Sequence, residues 1–445
     1  MSSVVQTLPV QRLTEVARRT FRSLRVRNYR IWFTGQLVSL SGTWMQTVAQ
    51  SWLVYSLTHN ALYLGLTAAL QFLPVLVFGT YGGVLADRLD KRHVLMVTQA
   101  LFMVQALAMF AVVAAGVVQL WMVWVLALAM GFINVADNPA RQSFAVDMVG
   151  PDDLANAVGL NAVIVNASRI VGPAVAGVLI WKVGLSWTFL LNAGSFVAVL
   201  AALAVMRPGE LHHVPRVRRG RGQVRAGLRY AWGRWELRVP LFMMAVMGTL
   251  SYNFTVTLPL LASAVFHRGG GTLGALTTAM GVGALAGALA VASRHRPSYR
   301  LLVGVSFAFG ALALTVALAP TLDLALVFLV PMGAAGVAFI ALANALLQLH
   351  SSGHMRGRVM ALWAIVFLGS TPIGAPLTGL VAAHFGARFA LGMGAVAALA
   401  AALGGALALR RIRREERAER AAGETGAAGD APQPAPVAAG DAATG

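Results

Sequence analysis

Uncharged, mostly apolar stretches recur along the whole chain, and short polar segments separate them. A helix needs about 20 such residues to cross the hydrocarbon core of a bilayer. Only 11% of the 445 residues are charged, whereas soluble domains carry about a quarter. The pattern therefore predicts an all-α integral membrane protein. We place twelve spans at residues 30–56, 62–86, 94–116, 119–145, 157–181, 186–206, 239–265, 271–293, 301–319, 322–347, 359–383 and 387–409.

The distribution of cations predicts how these spans are oriented. A net charge of +19 would suit nucleic-acid binding if the cations formed one patch. Instead, 31 of the 35 lysines and arginines lie in the termini and in the alternate loops of one side, and 3 lie on the other side. This asymmetry is the positive-inside pattern, in which the basic side is cytoplasmic. We therefore expect both termini in the cytoplasm and no nucleic-acid partner.

The longest basic loop divides the spans into two groups of six. Residues 207–238 contain nine arginines among glycine and proline. We expect this segment to be a cytoplasmic linker between two six-helix bundles, residues 30–206 and 239–410. A basic cytoplasmic segment, residues 1–29, would precede the first bundle. Residues 411–445 are rich in alanine, glycine and proline, and we expect a disordered cytoplasmic tail there.

Amide and hydroxyl side chains inside the spans predict a polar cavity. On the first span, five of them follow steps of three and four and therefore share one helix face. Unpaired amides are costly in hydrocarbon, so this face should contact protein or water. Hydrogen-bonded helix packing is the alternative, and the pattern leaves it open. The predicted cavity residues are Gln36, Thr43, Gln46, Asn253 and Asn344.

Three charged residues lie within or near the spans of the first half. Asp137 and Arg141 are four apart and so neighbours on one helix face, and Pro139 between them should kink or end the helix. Arg169 falls near the bilayer centre, where a cation needs a partner. Asp137 is the carboxylate at comparable depth, so we expect these two to form a buried ion pair. The cluster is the candidate site of proton coupling, or else a structural pair that orients two helices.

The loop between the second and third spans resembles a motif of the major facilitator superfamily, Gly-x-Leu-Ala-Asp-Arg-x-Gly-Arg-Arg. The matching residues that define our candidate gating motif are Gly83, Asp87, Arg88, Lys91 and Arg92, with Leu85 and Ala86 also matching. Asp90 replaces the second glycine of the motif. The resemblance implies two six-helix bundles, each an inverted repeat, and alternating access. It also implies that Asp87 latches the outward-facing state at a helix N-terminus of the second bundle.

A second element, in the fifth span, resembles a signature of exporters in the same superfamily. Gly172, Pro173 and Gly177 match its Gly-Pro-x-x-x-Gly core, although its paired terminal glycines are absent. Together with the run that begins at Asp137, it resembles the efflux branch that contains the enterobactin exporter and macrolide efflux proteins. The resemblance implies a proton-coupled exporter of a drug-like or siderophore-like molecule in a bacterial inner membrane.

Motifs for other chemistry are missing from the sequence. Neither lysine is followed by Ser or Thr as a P-loop requires, and neither an HExxH nor a GxSxG pattern occurs. The chain has no cysteine, which excludes disulfides and thiolate chemistry. We therefore expect no enzyme, no cofactor and no metal, and a monomer whose partners are a small-molecule substrate, protons and lipid. The alternatives are a facilitator or importer of a small metabolite, and a non-transporting membrane sensor or scaffold.

Overall fold

Helices account for nearly all of the structure. A computed structural model describes residues 22–212, 223–294 and 297–429, without the side chains at a few helical positions. The described residues form no strand. We number the helices in chain order: α1 (Arg27–Thr58), α2 (Ala61–Arg88), α3 (Lys91–Ala114), α4 (Leu120–Gly150), α5 (Asn156–Lys182), α6 (Ser186–Val205), α7 (Gln223–Trp232), α8 (Trp235–Val265), α9 (Gly270–Ala292), α10 (Tyr299–Leu318), α11 (Leu322–His350), α12 (Gly353–Phe385) and α13 (Ala387–Gly429).

Twelve of these helices are membrane spans, as predicted. Within the described ranges, eleven helical segments are long and apolar enough by composition alone. The twelfth is α1, a 32-residue helix that carries the polar face noted in the sequence. The chain is therefore a multi-pass membrane protein, and α7 is a short helix in the connection between α6 and α8.

The structure adds detail to three segments considered in the sequence analysis. The helix that contains Pro139 does not end there, but continues to Gly150, where φ is 71° and ψ is 178°. Glycine reaches this backbone conformation without strain. In the predicted linker 207–238, α7 forms an ordered helix, and residues 213–222 lie outside the described part. In the predicted disordered tail, residues 411–429 continue α13 because alanine, glutamate and arginine favour helix. Most of segment 1–29 also falls outside the described residues.

The two bundles repeat the same internal contacts. In the first, Gly131 on α4 lies against the backbone of Gln71 on α2, and a Cβ at Gly131 would meet the Gln71 carbonyl oxygen at 2.5 Å. In the second, Gly333 on α11 lies against the backbone of Met280 on α9 in the same way. Small residues let membrane helices approach this closely. The shared arrangement is the one expected of a parallel repeat of two six-helix halves.

The bundles contact each other mainly through α2 with α12 and α5 with α9. The closest backbone approaches lie toward the ends of these helices that carry few cations, which we call the cation-poor end. There, Gly65 faces Ala375, and a Cβ at Gly274 would stand 2.5 Å from the Cα of Gly177. At the opposite, cation-rich end, Leu85 on α2 is 44% exposed. The cation-poor end is therefore closed by direct backbone contact.

Replacing Gly274 should loosen this closure. We expect Gly274→Val to destabilise the protein by about 1–3 kcal/mol, because the added side chain overpacks the contact with α5. The purified protein should therefore unfold at a lower temperature.

Gly304→Val provides the matched control, because a Cβ at Gly304 on α10 meets nothing within 4 Å. Equal unfolding temperatures for the two variants would contradict a tight contact between α5 and α9.

Candidate functional site

A cavity of about 360 Å³ lies between α1, α2 and α4. Thr255 from α8 and Leu368 from α12 complete its wall, so both bundles contribute. This volume falls at the lower end of the range for small-molecule sites. The remaining lining residues are Leu40, Thr43, Trp44, Thr47, Gln50, Ser51, Val54, Leu64, Thr67, Ala68, Gln71, Phe72, Val75, Met130, Asn134, Asn138 and Arg141.

The polar face of α1 serves two purposes. Thr43 lines the cavity, and Thr47 and Gln50 lie beside it. Gln46 is buried on the adjacent flank of α1, where it donates to Gln105 Oε1 at 2.9 Å and accepts from Asn192 Nδ2 at 2.5 Å. Gln46 is three residues after Thr43, so its side chain leaves α1 in a direction about 60° away from that of Thr43. The prediction that Gln46 lines this cavity is therefore wrong, because its direction leads into the contact with α3 and α6.

The other predicted cavity residues also lie elsewhere. Gln36 is buried, and its Nε2 has no hydrogen-bond partner among the described residues. Asn253 lies in a break within α8, where it donates to the Thr249 carbonyl and to Thr378 Oγ1. Its side chain thus satisfies the Thr249 carbonyl, which the break leaves without a helical partner. Asn344 accepts from Gln348 along one face of α11. None of these three borders the 360 Å³ cavity.

Asp137 on α4 is the most enclosed charged group near the cavity. It is 0% exposed, and its carboxylate accepts from Thr98 Oγ1 and Gln99 Nε2, both at 2.8 Å. It also pairs with Arg141, one turn further along the same helix. The Arg141 side chain is 22% exposed and reaches the cavity wall. The carboxylate therefore lies behind the wall and the guanidinium lies on it.

The expected pair between Asp137 and Arg169 is wrong. Because α4 continues past Pro139, Arg141 stays within reach of Asp137 at helical spacing. Arg169 lies at the middle of α5, with its guanidinium carbon 5.0 Å from the centre of the Trp44 ring. Its Nε is buried and has no hydrogen-bond partner among the described residues.

A smaller void of about 40 Å³ adjoins the Asp137 group. It shares Thr43, Asn134 and Arg141 with the main cavity and ends at Gln99. The Oε1 of Gln99 is buried without a partner among the described residues. The void exceeds the volume that one water needs, about 10–15 Å³. A water there would satisfy Gln99 and connect the cavity with the residues around Asp137.

The candidate gating motif fastens three helices at the cation-rich end. Lys91 pairs with Asp147 on α4 at 2.7 Å. Arg92 Nε donates to the Leu203 carbonyl at 2.8 Å, at the C-terminus of α6, where a cation is favourable. Gly83 is buried and Arg88 is exposed, whereas the side chain of Asp87 lies outside the described part of the chain. The motif thus holds α3 to α4 and α6.

Asp90, the departure from the superfamily pattern, has a local role. It caps α3 by accepting from the His93 backbone N–H at 2.8 Å. Partial desolvation raises the pKa of Asp90, but the hydrogen bonds and charge of His93 outweigh it and hold the pKa below its ordinary value. An aspartate at this position therefore stabilises the start of α3.

The exporter element lies where α5 contacts both α1 and α9. A Cβ at Gly172 would stand 2.6 Å from the Trp44 Cβ, so α5 packs closely on α1 at this point. One turn further, Gly177 and the Pro173 carbonyl lie against Gly274 of α9. The element thus joins the cavity wall to the closed end.

Sequence reasoning missed several cavity residues. Asn134, Asn138 and Arg141 follow one face of α4 at steps of four and three, the same signal that we used on the first span. Gln71 and Thr255 are isolated polar residues in apolar segments, and no spacing in the sequence distinguishes them.

The hydrogen bonds of Gln46 should contribute to stability. Gln46→Leu leaves Gln105 and Asn192 without a shared partner, and we expect a loss of about 1 kcal/mol in the free energy of unfolding. Gln348→Leu is the control, because Gln348 is exposed and bonds only along its own helix. A thermal-unfolding series in detergent measures both, and no difference between them would contradict the assignment of Gln46 to packing.

Comparisons with known proteins agree with this architecture. The transmembrane secretion effector family (MFS_3) matches residues 18–426. The staphyloferrin A transporter of Staphylococcus aureus is 24% identical over 57% of this chain and 64% of that protein. The multidrug efflux pump Tap of Mycobacterium tuberculosis is 27% identical over 77% of this chain and 84% of its own. The enterobactin exporter EntS of Citrobacter koseri is 26% identical over 79% and 84%.

Solved structures share the fold at low sequence identity. An inward-facing, occupied bacterial homologue of the lysosomal transporter Spinster superposes with a TM-score of 0.67 at 15% identity, over 88% of this chain and 97% of that one. An inward-facing bacterial homologue of the iron transporter ferroportin gives 0.65 at 16% identity, over 86% and 98%. These likenesses establish the major facilitator fold.

Proposed function

The chain belongs to the transmembrane secretion effector family of the major facilitator superfamily, and from that premise we propose that it is a secondary active exporter. Its substrate would be a small hydrophobic or amphipathic molecule, moved by alternating access in exchange for protons. The observation that carries the proposal is a cavity with walls from both bundles, next to a buried carboxylate. The names of two relatives, an efflux pump and an exporter, favour the outward direction.

The contacts between the bundles support alternating access. By the positive-inside rule the cation-poor end would face outward, so the end closed in the structure would be the outer one. The closure consists of glycine contacts such as Gly177 with Gly274, which can separate without breaking hydrogen bonds or ion pairs. Rocking of one bundle against the other would then open the outer side and close the inner side. In that outward-facing state, the resemblance assigns a latch to Asp87.

The cavity lining suits an amphipathic molecule. Apolar and aromatic side chains such as Trp44 and Phe72 form most of the wall, and amides such as Gln50, Gln71 and Asn138 are spaced along it. This combination buries an apolar body and fixes its orientation through a few hydrogen bonds. A scaffold or sensor would not require such a lined hollow between its two halves.

Proton exchange would centre on Asp137. To take up a proton, the carboxylate must give up part of its contacts with Arg141, Thr98 and Gln99. Rotation of α4 during the transition could separate Arg141 from it, and the void at Gln99 offers a path for water. The competing interpretation is a permanent pair that braces α3 against α4, and the two interpretations predict different responses to pH.

We propose a monomer in the inner membrane of a bacterium, with lipid around it and both termini in the cytoplasm. The basic ends of α2, α3, α6 and α12 would lie against the anionic inner leaflet. Under this proposal, protons and the transported molecule are the ligands on which the transport cycle depends.

Neutralising Asp137 tests the proton-exchange proposal. In inside-out vesicles with an imposed gradient of one pH unit, Asp137→Asn should lower dye accumulation by about tenfold and abolish its dependence on pH. A panel of amphipathic dyes of both charge signs provides the readout.

Asp323→Asn is the control, because Asp323 lies exposed in the first turn of α11 and does not line the cavity. Retention of pH-driven accumulation by Asp137→Asn would remove this residue from the coupling mechanism and favour the bracing interpretation.

A further inference from the structure

Arg169 is a half-buried cation for which the described residues supply no counter-charge. It lies 13 residues from either end of α5, and so close to the bilayer midplane. Its Nε is enclosed and has no hydrogen-bond partner, and it forms no ion pair within the described part of the chain. Arginine in the membrane interior ordinarily pairs with a carboxylate or with backbone carbonyls. A cation held there without either is therefore a candidate ligand-binding group.

The surroundings of Arg169 hold the guanidinium in place without neutralising it. Close packing of Gly172 on Trp44 brings α5 against α1, and the guanidinium lies over the Trp44 ring at 5.0 Å. Tyr252, in the break of α8, also interacts with it electrostatically. The Tyr252 hydroxyl, however, donates to the Gly336 carbonyl at 2.8 Å. The Trp44 ring positions the side chain, and neither Trp44 nor Tyr252 supplies an anion.

The charges around the cavity also favour an anionic ligand. Its described lining residues include one cation, Arg141, and no aspartate or glutamate. Asp137 is fully buried behind the wall, and its charge is already matched by Arg141. A cationic guest would therefore find no carboxylate facing it. Arg169 is not itself a lining residue, but its guanidinium lies over the ring of Trp44, which does line the cavity, so an anion bound beside that ring would face a cation.

We propose that the transported molecule is an amphipathic acid, and that Arg169 binds its carboxylate or a similar planar oxyanion. The planar fork of arginine matches such groups with two parallel hydrogen bonds. The apolar body of the acid would occupy the cavity against Trp44. This inference deepens the proposed exporter function. That the acid is transported rests on that proposal, whereas its binding to Arg169 can be measured without transport.

Two dyes with the same tricyclic scaffold provide the test. Fluorescein carries a free carboxylate and is anionic, whereas rhodamine 123 is a cation with that carboxylate esterified. Fluorescence anisotropy on the purified full chain in detergent yields both dissociation constants. The wild type should bind fluorescein about tenfold or more tightly than it binds rhodamine 123. The Arg169→Gln substitution should weaken fluorescein binding by about tenfold or more. Rhodamine 123 binding should change less than twofold.

Control variants separate this role from a general effect of charge. Arg388→Gln removes an arginine that donates to the Ala317 carbonyl in a groove outside the cavity, and it should bind fluorescein like the wild type. Arg169→Lys should retain part of the affinity, because it keeps the charge and loses the fork. If Arg169→Gln does not fold, the wild-type preference and the lysine variant decide the question.

Transport of the same dyes in inside-out vesicles distinguishes the two proposals. Export of rhodamine 123 by a chain that does not bind fluorescein would overturn the anion inference and leave the exporter proposal intact. Arg169-dependent fluorescein binding without export of either dye would support the anion site and contradict the exporter proposal. Unchanged fluorescein affinity in a folded Arg169→Gln variant would assign Arg169 to helix packing and overturn the inference.

Discussion

The cost of placing a charge in hydrocarbon determines much of this structure. A cation at the centre of a membrane helix costs about 2.5–3.5 kcal/mol on insertion scales, so the chain keeps nearly all of its cations at helix ends. Where a charge lies deeper, other residues compensate for it. Asp137 has two hydrogen-bond donors and a cation around it. Among the described residues, Arg169 has the face of the Trp44 ring and no counter-ion, so the described part of the membrane interior has an excess of positive charge.

The unmatched charge of Arg169 would affect the free energy of exporting an anion. A bound acid would neutralise Arg169 during the step in which the bundles move, so the loaded carrier would not carry an unmatched charge at the midplane. In a cell with a negative interior, the membrane potential favours outward movement of an anion by about 50-fold per charge at 100 mV. Proton exchange through Asp137 would add to this force. The two charged centres would thus divide binding and coupling between them.

The fold could be predicted from the sequence because span length and the distribution of arginine are properties of continuous segments. The site could be predicted only in part, because it depends on rotation within a helix. Gln46 and Thr47 are adjacent, yet only Thr47 lines the cavity, since Gln46 turns toward α6. The partner of Asp137 depended on whether its helix continued past Pro139, and the sequence left a kink and an end equally open.

The central claim is that the two ends of the bundles open in alternation, and spin-label distances test it most directly. The chain has no cysteine, so labelled pairs can be introduced into the natural sequence. Leu89→Cys with Arg356→Cys reports the cation-rich end, and Leu57→Cys with His384→Cys reports the cation-poor end, all at exposed positions. On lowering the pH or adding fluorescein, we predict that the first distance shortens while the second lengthens. Distances that stay fixed, or that change in the same direction at both ends, would contradict the account.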